Sequence, residues 1–335
     1  MSTRSLVTGG SGFVGGVVTR TLLDRGERVR VLDLQESTLS GPNLEHVRGS
    51  ILDRDALRDA MRGVDVVYHL AAISGLWNRD PSAYDRVNHQ GTRAVLEEAG
   101  QARVRSVVHA SSAVALARRA RTRRVSMTEP PESGSPALPD PRSALGPYAR
   151  SKILAERAVY EATRAGVPCV VTTITTPIGP GDPTPTPPTQ LLIDLMRGRV
   201  PAMMDMPWHL SDVRDIAHAI CNAPDMGVPG RRYILRGETW TTERLLQTLS
   251  SLCQRPMPGV RAPYALALAI ASMGEASSRI TGRPPRAFVE GVRLARARMD
   301  LDSDPGAAAL GVTMRPAEQS LSDAIAWLRE NAPGT

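Results

Sequence analysis

The stretch Arg4-Ser5-Leu6-Val7-Thr8-Gly9-Gly10-Ser11-Gly12-Phe13-Val14-Gly15 opens the chain and decides its fold. Arg4 to Val7 reads as a short buried strand. The helical spacing Val17, Val18, Leu22, Leu23 follows the last glycine. Between them the glycines permit a tight turn and let a ligand come close to the backbone. Strand, glycine turn and helix in that order aim a helix N-terminus at whatever lies over the turn, which suits a pyrophosphate. G-x-G-x-x-G alone recurs by chance; after a strand and before a helix it acquires meaning. Gly9, Gly12, Phe13, Val14 and Gly15 are therefore the candidate pyrophosphate contacts of a dinucleotide.

Outward from that turn, Gly26 ends the helix and Glu27 to Asp33 gives a second strand. Asp33 stands 18 residues beyond Gly15. A carboxylate there can accept both ribose hydroxyls of NAD and repels the 2′-phosphate of NADP. Leu34 and Gln35 offer no Arg for such a phosphate. NAD(H) is the expected cofactor, with NADP(H) left open. Leu44–Val47, Asp65–Ala72, Arg105–Ala110 and Pro168–Ile174 read as further strands. Helical stretches Arg54–Arg62, Pro81–Gly100 and Tyr148–Ala165 separate them. This alternation implies a parallel sheet covered on both faces. Asp53 reads as the cap of the Arg54 helix, and His69, inside an apolar strand, as a satisfied core histidine. Ser211–Cys221 returns to helical periodicity, Arg232–Leu235 reads as a strand, and the chain is then largely helical to Asn331. The expected division is a dinucleotide-binding unit of residues 1–175, with 211–230 returning to it, and a substrate-binding unit of 176–210 and 231–330.

Tyr148 and Lys152 are four apart. On a helix that places both on one face, about 5–6 Å apart at Cβ. A free phenol titrates near ~10. A nearby ammonium favours the phenolate, and a Tyr brought toward the working pH can exchange a proton with a substrate oxygen. Of the 41 basic residues, 40 are arginine and one, Lys152, is lysine. Arg is planar and differently hydrated, so it is no equivalent here. Y-x-x-x-K alone is a frequent accident of a helix surface; the solitary lysine and the glycine turn turn it into a candidate catalytic pair.

Two other stretches bear on ligands. Arg118, Arg119, Arg121, Arg123 and Arg124 lie in a loop-like region between Ser112 and Tyr148. It reads as a solvated loop that is also placed to meet an anionic substrate group at the site mouth. Val200 to Trp208 carries Met203, Met204, Met206 and Trp208. These suit either an adaptable apolar wall for a substrate or the core of the second unit. The net charge of +7 comes with no nucleic-acid recognition motif, so no nucleic-acid partner is expected. The three cysteines are far apart and lack metal-ligand spacing, which argues for a reducing compartment and no metal. No apolar run reaches the ~20 residues of a membrane span. Tyr264–Met273, the nearest candidate, reads as a buried helix, with an interfacial patch as the other reading. No signal peptide is expected, and a cytoplasmic location is.

T-G-G-S-G-F-V-G at Thr8–Gly15, H-L-A-A at His69–Ala72, V-N-H-Q-G-T at Val87–Thr92, Ser111–Ser112, Y-A-R-S-K at Tyr148–Lys152 and P-I-G-P-G-D at Pro177–Asp182 form one set. With them the chain resembles the extended short-chain dehydrogenase/reductases over essentially its whole length. H-L-A-A-I-S-G-L-W and P-I-G-P-G-D-P-T-P-T-P are similar to the branch holding dihydroflavonol reductases, hydroxysteroid dehydrogenases and hopanoid-associated epimerase-like proteins. The resemblance implies an α/β fold, a Rossmann-type doubly wound parallel sheet with a smaller, mostly helical C-terminal substrate domain. It implies catalytic roles for Ser112, Tyr148 and Lys152. Gly9, Gly12 and Gly15 would hold the pyrophosphate, Asp33 the adenosine ribose and Lys152 the nicotinamide ribose. Ala71 and Ala72 would pack on the cofactor, and Pro177 and Ile178 would border the carboxamide. Asn88 would fix a loop.

Three departures stand out. Ser50, followed by Ile51, replaces the family's adenine-contacting Asp. Ala115-Leu116-Ala117 lacks the family's Tyr and Gly. Thr176 stands where an Arg is usual. The resulting expectation is hydride transfer between a nicotinamide and a hydrophobic small-molecule ketone or alcohol, by a protein that family analogy makes a homodimer. A nucleotide-sugar epimerase or dehydratase is the alternative enzyme. A non-catalytic, redox-sensing dinucleotide binder is the alternative of another class.

Overall fold

The computed structural model describes residues 3–117, 138–297, 301 and 306–332. The strands among these residues are β1 (Arg4–Thr8), β2 (Arg28–Asp33), β3 (Leu44–Arg48), β4 (Val66–His69), β5 (Ser106–Ser112), β6 (Cys169–Ile174), β7 (Thr176–Ile178), β8 (Trp208–Asp212), β9 (Arg232–Leu235) and β10 (Glu238–Trp240). Seven of them form one sheet in the order β3-β2-β1-β4-β5-β6-β9. Every pairing in it is parallel. The chain builds outward from β1 to β3, then returns to lay β4 on the other side of β1. That reversal opens a crevice beyond the carboxyl ends of β1 and β4.

Adjacent apolar pairs explain the two covering layers, because successive strand side chains point to opposite faces. Leu6, Val67, Val107 and Val171 join one core with Leu57, Val95 and Val159, from the helices Arg54–Ala60, Thr92–Ala102 and Pro147–Arg164. Val7, Val66, Val108 and Val170 join the other with Val18, Leu22, Ile216 and Ile220, from the helices Phe13–Asp24 and Val213–Met226. All of these side chains are buried, and each contributes roughly 1.5–3 kcal/mol relative to exposure. Three-stranded β10-β8-β7 forms a smaller sheet. Its core gathers Ile178, Leu192, Leu210, Trp240 and Leu246 with Leu321 and Leu328 of the helix Ala317–Asn331.

Several elements differ from their sequence expectations. Arg232–Leu235, expected in the second unit, pairs with β6 as an edge of the large sheet. Tyr233 and Leu235 enter that sheet's core, so burial draws the strand there. Ser211 and Asp212 close β8, and the Asp212 side chain caps the following helix by accepting from Arg214 N–H. β4 ends at His69, which leaves Leu70–Ala72 irregular. The helix Tyr264–Thr281 buries Ala267, Ala271 and Ser278. It leaves Leu266, Ile270, Met273 and Ile280 exposed, so it is not a buried helix. None of the helices among the described residues is long and apolar enough to cross a membrane.

The large sheet carries one buried ionic cluster. Glu156 is fully buried and Arg232 nearly so. Arg232 Nε donates to Glu156 Oε1 at 2.6 Å, and Tyr160 Oη donates to the same oxygen at 2.9 Å. Ser111 Oγ donates to Glu156 Oε2 at 2.7 Å. Arg232→Met should cost about 3–5 kcal/mol, because it strands a buried carboxylate. Urea denaturation of this variant and of the Arg232→Met/Glu156→Met pair checks this, with most of the loss recovered in the double variant.

Candidate active site

The crevice is lined by the segments that leave β1, β4, β5 and β6. Gly9, directly after β1, has φ +74°, a backbone conformation that L side chains resist. A methyl there would sit 2.6 Å from Ala71 N, so the turn lies flat against the segment leaving β4. At Gly15 a methyl would come 2.0 Å from Gly9 O. At Gly12 it would meet only Gly9 O, at 3.4 Å. Gly12 is the N-cap residue of the helix Phe13–Asp24, and no side chain caps it. A backbone cradle with open space at an uncapped helix N-terminus fits a pyrophosphate.

Asp33 ends β2 beside this cradle. Its Oδ2 accepts from Ser11 N at 3.0 Å and its Oδ1 from Gln35 N at 3.0 Å. The carboxylate therefore braces the glycine turn. Ser50 and Ile51 are arranged differently. Ser50 Oγ accepts from Leu52 N at 3.1 Å. Ile51 is buried beneath Gly91, where an added methyl would lie 2.5 Å from Ile51 Cδ1. Ala71 and Ala72 are half-buried beside Gly9. Pro177 is half-buried in β7, whereas Ile178 turns into the second core.

The helix Pro147–Arg164 carries Tyr148 and Lys152, both buried. The Tyr148 phenol lies near the Ser112 side chain at the end of β5, which favours its ionised form. Ser112 Oγ also accepts from Val114 N at 3.4 Å. Lys152 Nζ donates to Ala110 O at 3.0 Å. Ser112 lies near Tyr148, and Lys152 stands one turn further along the Tyr148 helix; their acid–base chemistry departs from expectation. Burial pushes the Tyr148 phenol up to about 12; the Ser112 side chain opposes the rise and the Glu290 carboxylate adds to it. Burial lowers the Lys152 ammonium to about 8, against the pull of Glu156. Lys152 is anchored on a carbonyl and does not hold the phenol acidic.

Two supports of the site are as expected. Asn88 Oδ1 accepts from Ile73 N at 2.8 Å. Its Nδ2 donates to Ile73 O at 3.1 Å and to Ser151 Oγ at 3.0 Å. It thereby ties the segment leaving β4 to the Tyr148 helix. It sits in a π-helical turn, Asp85–Gly91, a distortion frequent at functional sites. His69 is a satisfied core residue, held by Thr8 Oγ1 at 2.8 Å and Thr92 Oγ1 at 2.9 Å. Glu290 went unrecognised in the sequence. It is buried against the start of the Tyr148 helix, and a lone acid in an Arg-rich helix gives no pattern to find it by. Arg118–Arg124 lies outside the described residues. No group of three His, Cys, Asp or Glu side chains suited to a metal occurs among the described residues.

The family model of the NAD dependent epimerase/dehydratase family matches residues 5–234. The chain belongs to this family. It is an extended short-chain dehydrogenase/reductase and an NAD(P)-dependent enzyme, which removes the non-catalytic reading. A "Putative dihydroflavonol 4-reductase" from Synechocystis sp. is 32% identical over 97% of this chain and 94% of that protein. Sterol demethylase protein B of Methylococcus capsulatus is 31% identical over 97% of this chain and 98% of its own length. The crystal structure of gox2253 matches with a TM-score of 0.80, at 31% identity over 99% of each chain. As a family member the chain depends on the closeness of its glycine turn. Gly15→Ala drives a methyl into Gly9 O, so NAD affinity measured by calorimetry should fall at least tenfold, about 1.4 kcal/mol.

Proposed function

We propose that this enzyme is an NAD(H)-dependent ketoreductase or alcohol dehydrogenase acting on a hydrophobic, polycyclic or secondary-metabolite ketone or alcohol. The observation that carries this reading is the buried Tyr148 phenol, near Ser112 at the end of β5 and one turn from buried Lys152 on the same helix. When bound, the nicotinamide dinucleotide supplies or accepts the hydride. Gly9, Gly12, Phe13, Val14 and Gly15 cradle its pyrophosphate, and Asp33 accepts from the adenosine ribose while disfavouring a 2′-phosphate. Ala71, Ala72 and Pro177 flank it with small or rigid surfaces.

In the reductive direction Tyr148 gives its phenolic proton to the substrate oxygen. A phenol pushed up to about 12 stays protonated at neutral pH, so the acid form is always present. Ser112 donates to the same oxygen as charge develops there, where one such donor is worth about 3–4 kcal/mol. Lys152 spends one N–H on Ala110 O and has two left for the nicotinamide ribose and its surroundings.

The hydrophobic substrate rests on the chemistry of relatives. A cavity of about 220 Å³ with a mixed polar and apolar lining is formed by Met204, Ala262, Tyr264 and Ala295, with Asp205 and Arg296. The descriptions of two relatives refer to sterol and dihydroflavonol chemistry, both polycyclic. Met203 belongs to the second core instead, so only part of the methionine stretch is free to serve as a wall. A sugar-nucleotide epimerase is the second reading, favoured by the description of the family model. Purified protein with tightly held NAD and no net redox turnover would support that second reading.

Tyr148→Phe should abolish ketone reduction while NAD affinity stays within about twofold; full retained activity would sink the assignment. Lys152 loses its charge as pH rises through about 8, so reductive kcat/KM should fall on that side. Asp33→Ala should narrow the gap between the KM values for NADH and NADPH.

A further inference from the structure

Glu290 belongs to the helix Val289–Ala297, far along the chain from Tyr148. Its carboxylate nevertheless closes the N-terminus of the Tyr148 helix. Oε2 accepts from Tyr148 N at 3.2 Å, and Oε1 accepts from Ala149 N at 2.7 Å. These are two of the donors that a helix start leaves without intrahelical partners, and no side chain of the N-cap residue Gly146 supplies them. Gly146 is itself shaped for this carboxylate: a methyl there would lie 2.2 Å from Glu290 Oε2. One turn further along the same helix, Arg293 Nη1 donates to Leu145 O at 3.0 Å. The helix thus grips the chain on both sides of Gly146. It is capped in turn by Glu275, whose Oε1 accepts from Val289 N at 2.8 Å. Its far end carries Ala295 and Arg296, which line the cavity described above.

We propose that Glu290 is a positioning residue for the reaction: through the helix Val289–Ala297 it links the cavity wall to the backbone of Tyr148 and holds that turn in place. The inference rests on the role given to Tyr148 under Proposed function. The charged and titratable groups that act on this carboxylate are Arg293 and Glu275. Tyr148 and Tyr84, whose rings are 5.7 Å apart, are the groups that its charge acts on. Burial lifts Glu290 to about 7, opposed by the Ala149 and Tyr148 N–H bonds. An ionised Glu290 raises the phenol. Protonating it as pH falls through that range removes the repulsion and makes Tyr148 a stronger acid. Among the described residues, the carboxylate is the only acceptor for Tyr148 N and Ala149 N outside their own helix.

The test compares Glu290→Gln with Glu290→Ala. Gln removes the charge and keeps one acceptor at nearly the same volume. The phenol titration of Tyr148, followed by NMR on enzyme with ring-labelled tyrosine, should move to lower pH by about one unit, as loss of a neighbouring like charge requires. The Tyr148-dependent limb of the kcat profile should move with it. Ala removes the cap as well, and kcat should fall about tenfold to a hundredfold, as a small misplacement of a reacting group produces, with the KM for NADH nearly unchanged. An unmoved Tyr148 titration in Glu290→Gln, or wild-type kcat in Glu290→Ala alongside a lower denaturation midpoint, would reduce Glu290 to a structural cap and overturn the proposal. The NMR readout does not depend on turnover. Failure of the Tyr148 assignment in Tyr148→Phe kinetics is therefore distinct from failure of the Glu290 coupling.

Discussion

Backbone packed directly on backbone at the end of β1 is the constraint from which the rest of the site follows. Gly9 leaves no room for a Cβ against Ala71, and Gly15 leaves none against Gly9. Both contacts bring the first helix and the exit of β4 closer than any side chain would permit. Because β1 and β4 straddle the reversal of strand order, that closeness falls where an α/β sheet opens its ligand crevice. Asp33 reinforces the arrangement by holding Ser11 N from the next strand over. A residue that would recognise a ribose is thereby part of the turn's own support.

Burial governs the acid–base state of the groups on and around the Tyr148 helix. Tyr148, Lys152 and Glu290 are all buried, and desolvation penalises the charged form of each. It raises the phenol and the carboxylic acid and lowers the ammonium. The phenol and the carboxylic acid therefore hold their protons more tightly than they would in water. The nearby histidines follow the same rule. Burial brings His69 down to about 3 and holds His109 well below its ordinary value, with the Lys152 charge adding to both effects. Both are therefore neutral at physiological pH.

The second unit is tied to this chemistry through polar contacts at the helix start. Asn88 joins the exit of β4 to Ser151, and Ser151 Oγ donates to Tyr148 O at 2.8 Å. Glu290 approaches the opposite, N-terminal end of the same turn. Tyr148 is thus fixed from the sheet side and from the C-terminal helices at once, which limits how far its hydroxyl can stray from Ser112.

The sequence by itself determined the large sheet, its two apolar faces, the tight glycine turn and the placing of Tyr148 and Lys152 on one helix. Each of these rests on local information: period-two pairs such as Leu6–Val7, a turn that only glycine fits, a four-residue helical spacing. Tertiary structure alone decided that Arg232–Leu235 joins the large sheet, that Ile178 faces the second core, that Lys152 binds a carbonyl, and that Glu290 caps the Tyr148 helix. Those outcomes depend on which surfaces meet across long stretches of chain. Desolvation and long-range hydrogen bonding exist only after that meeting, so no local pattern of residues encodes them.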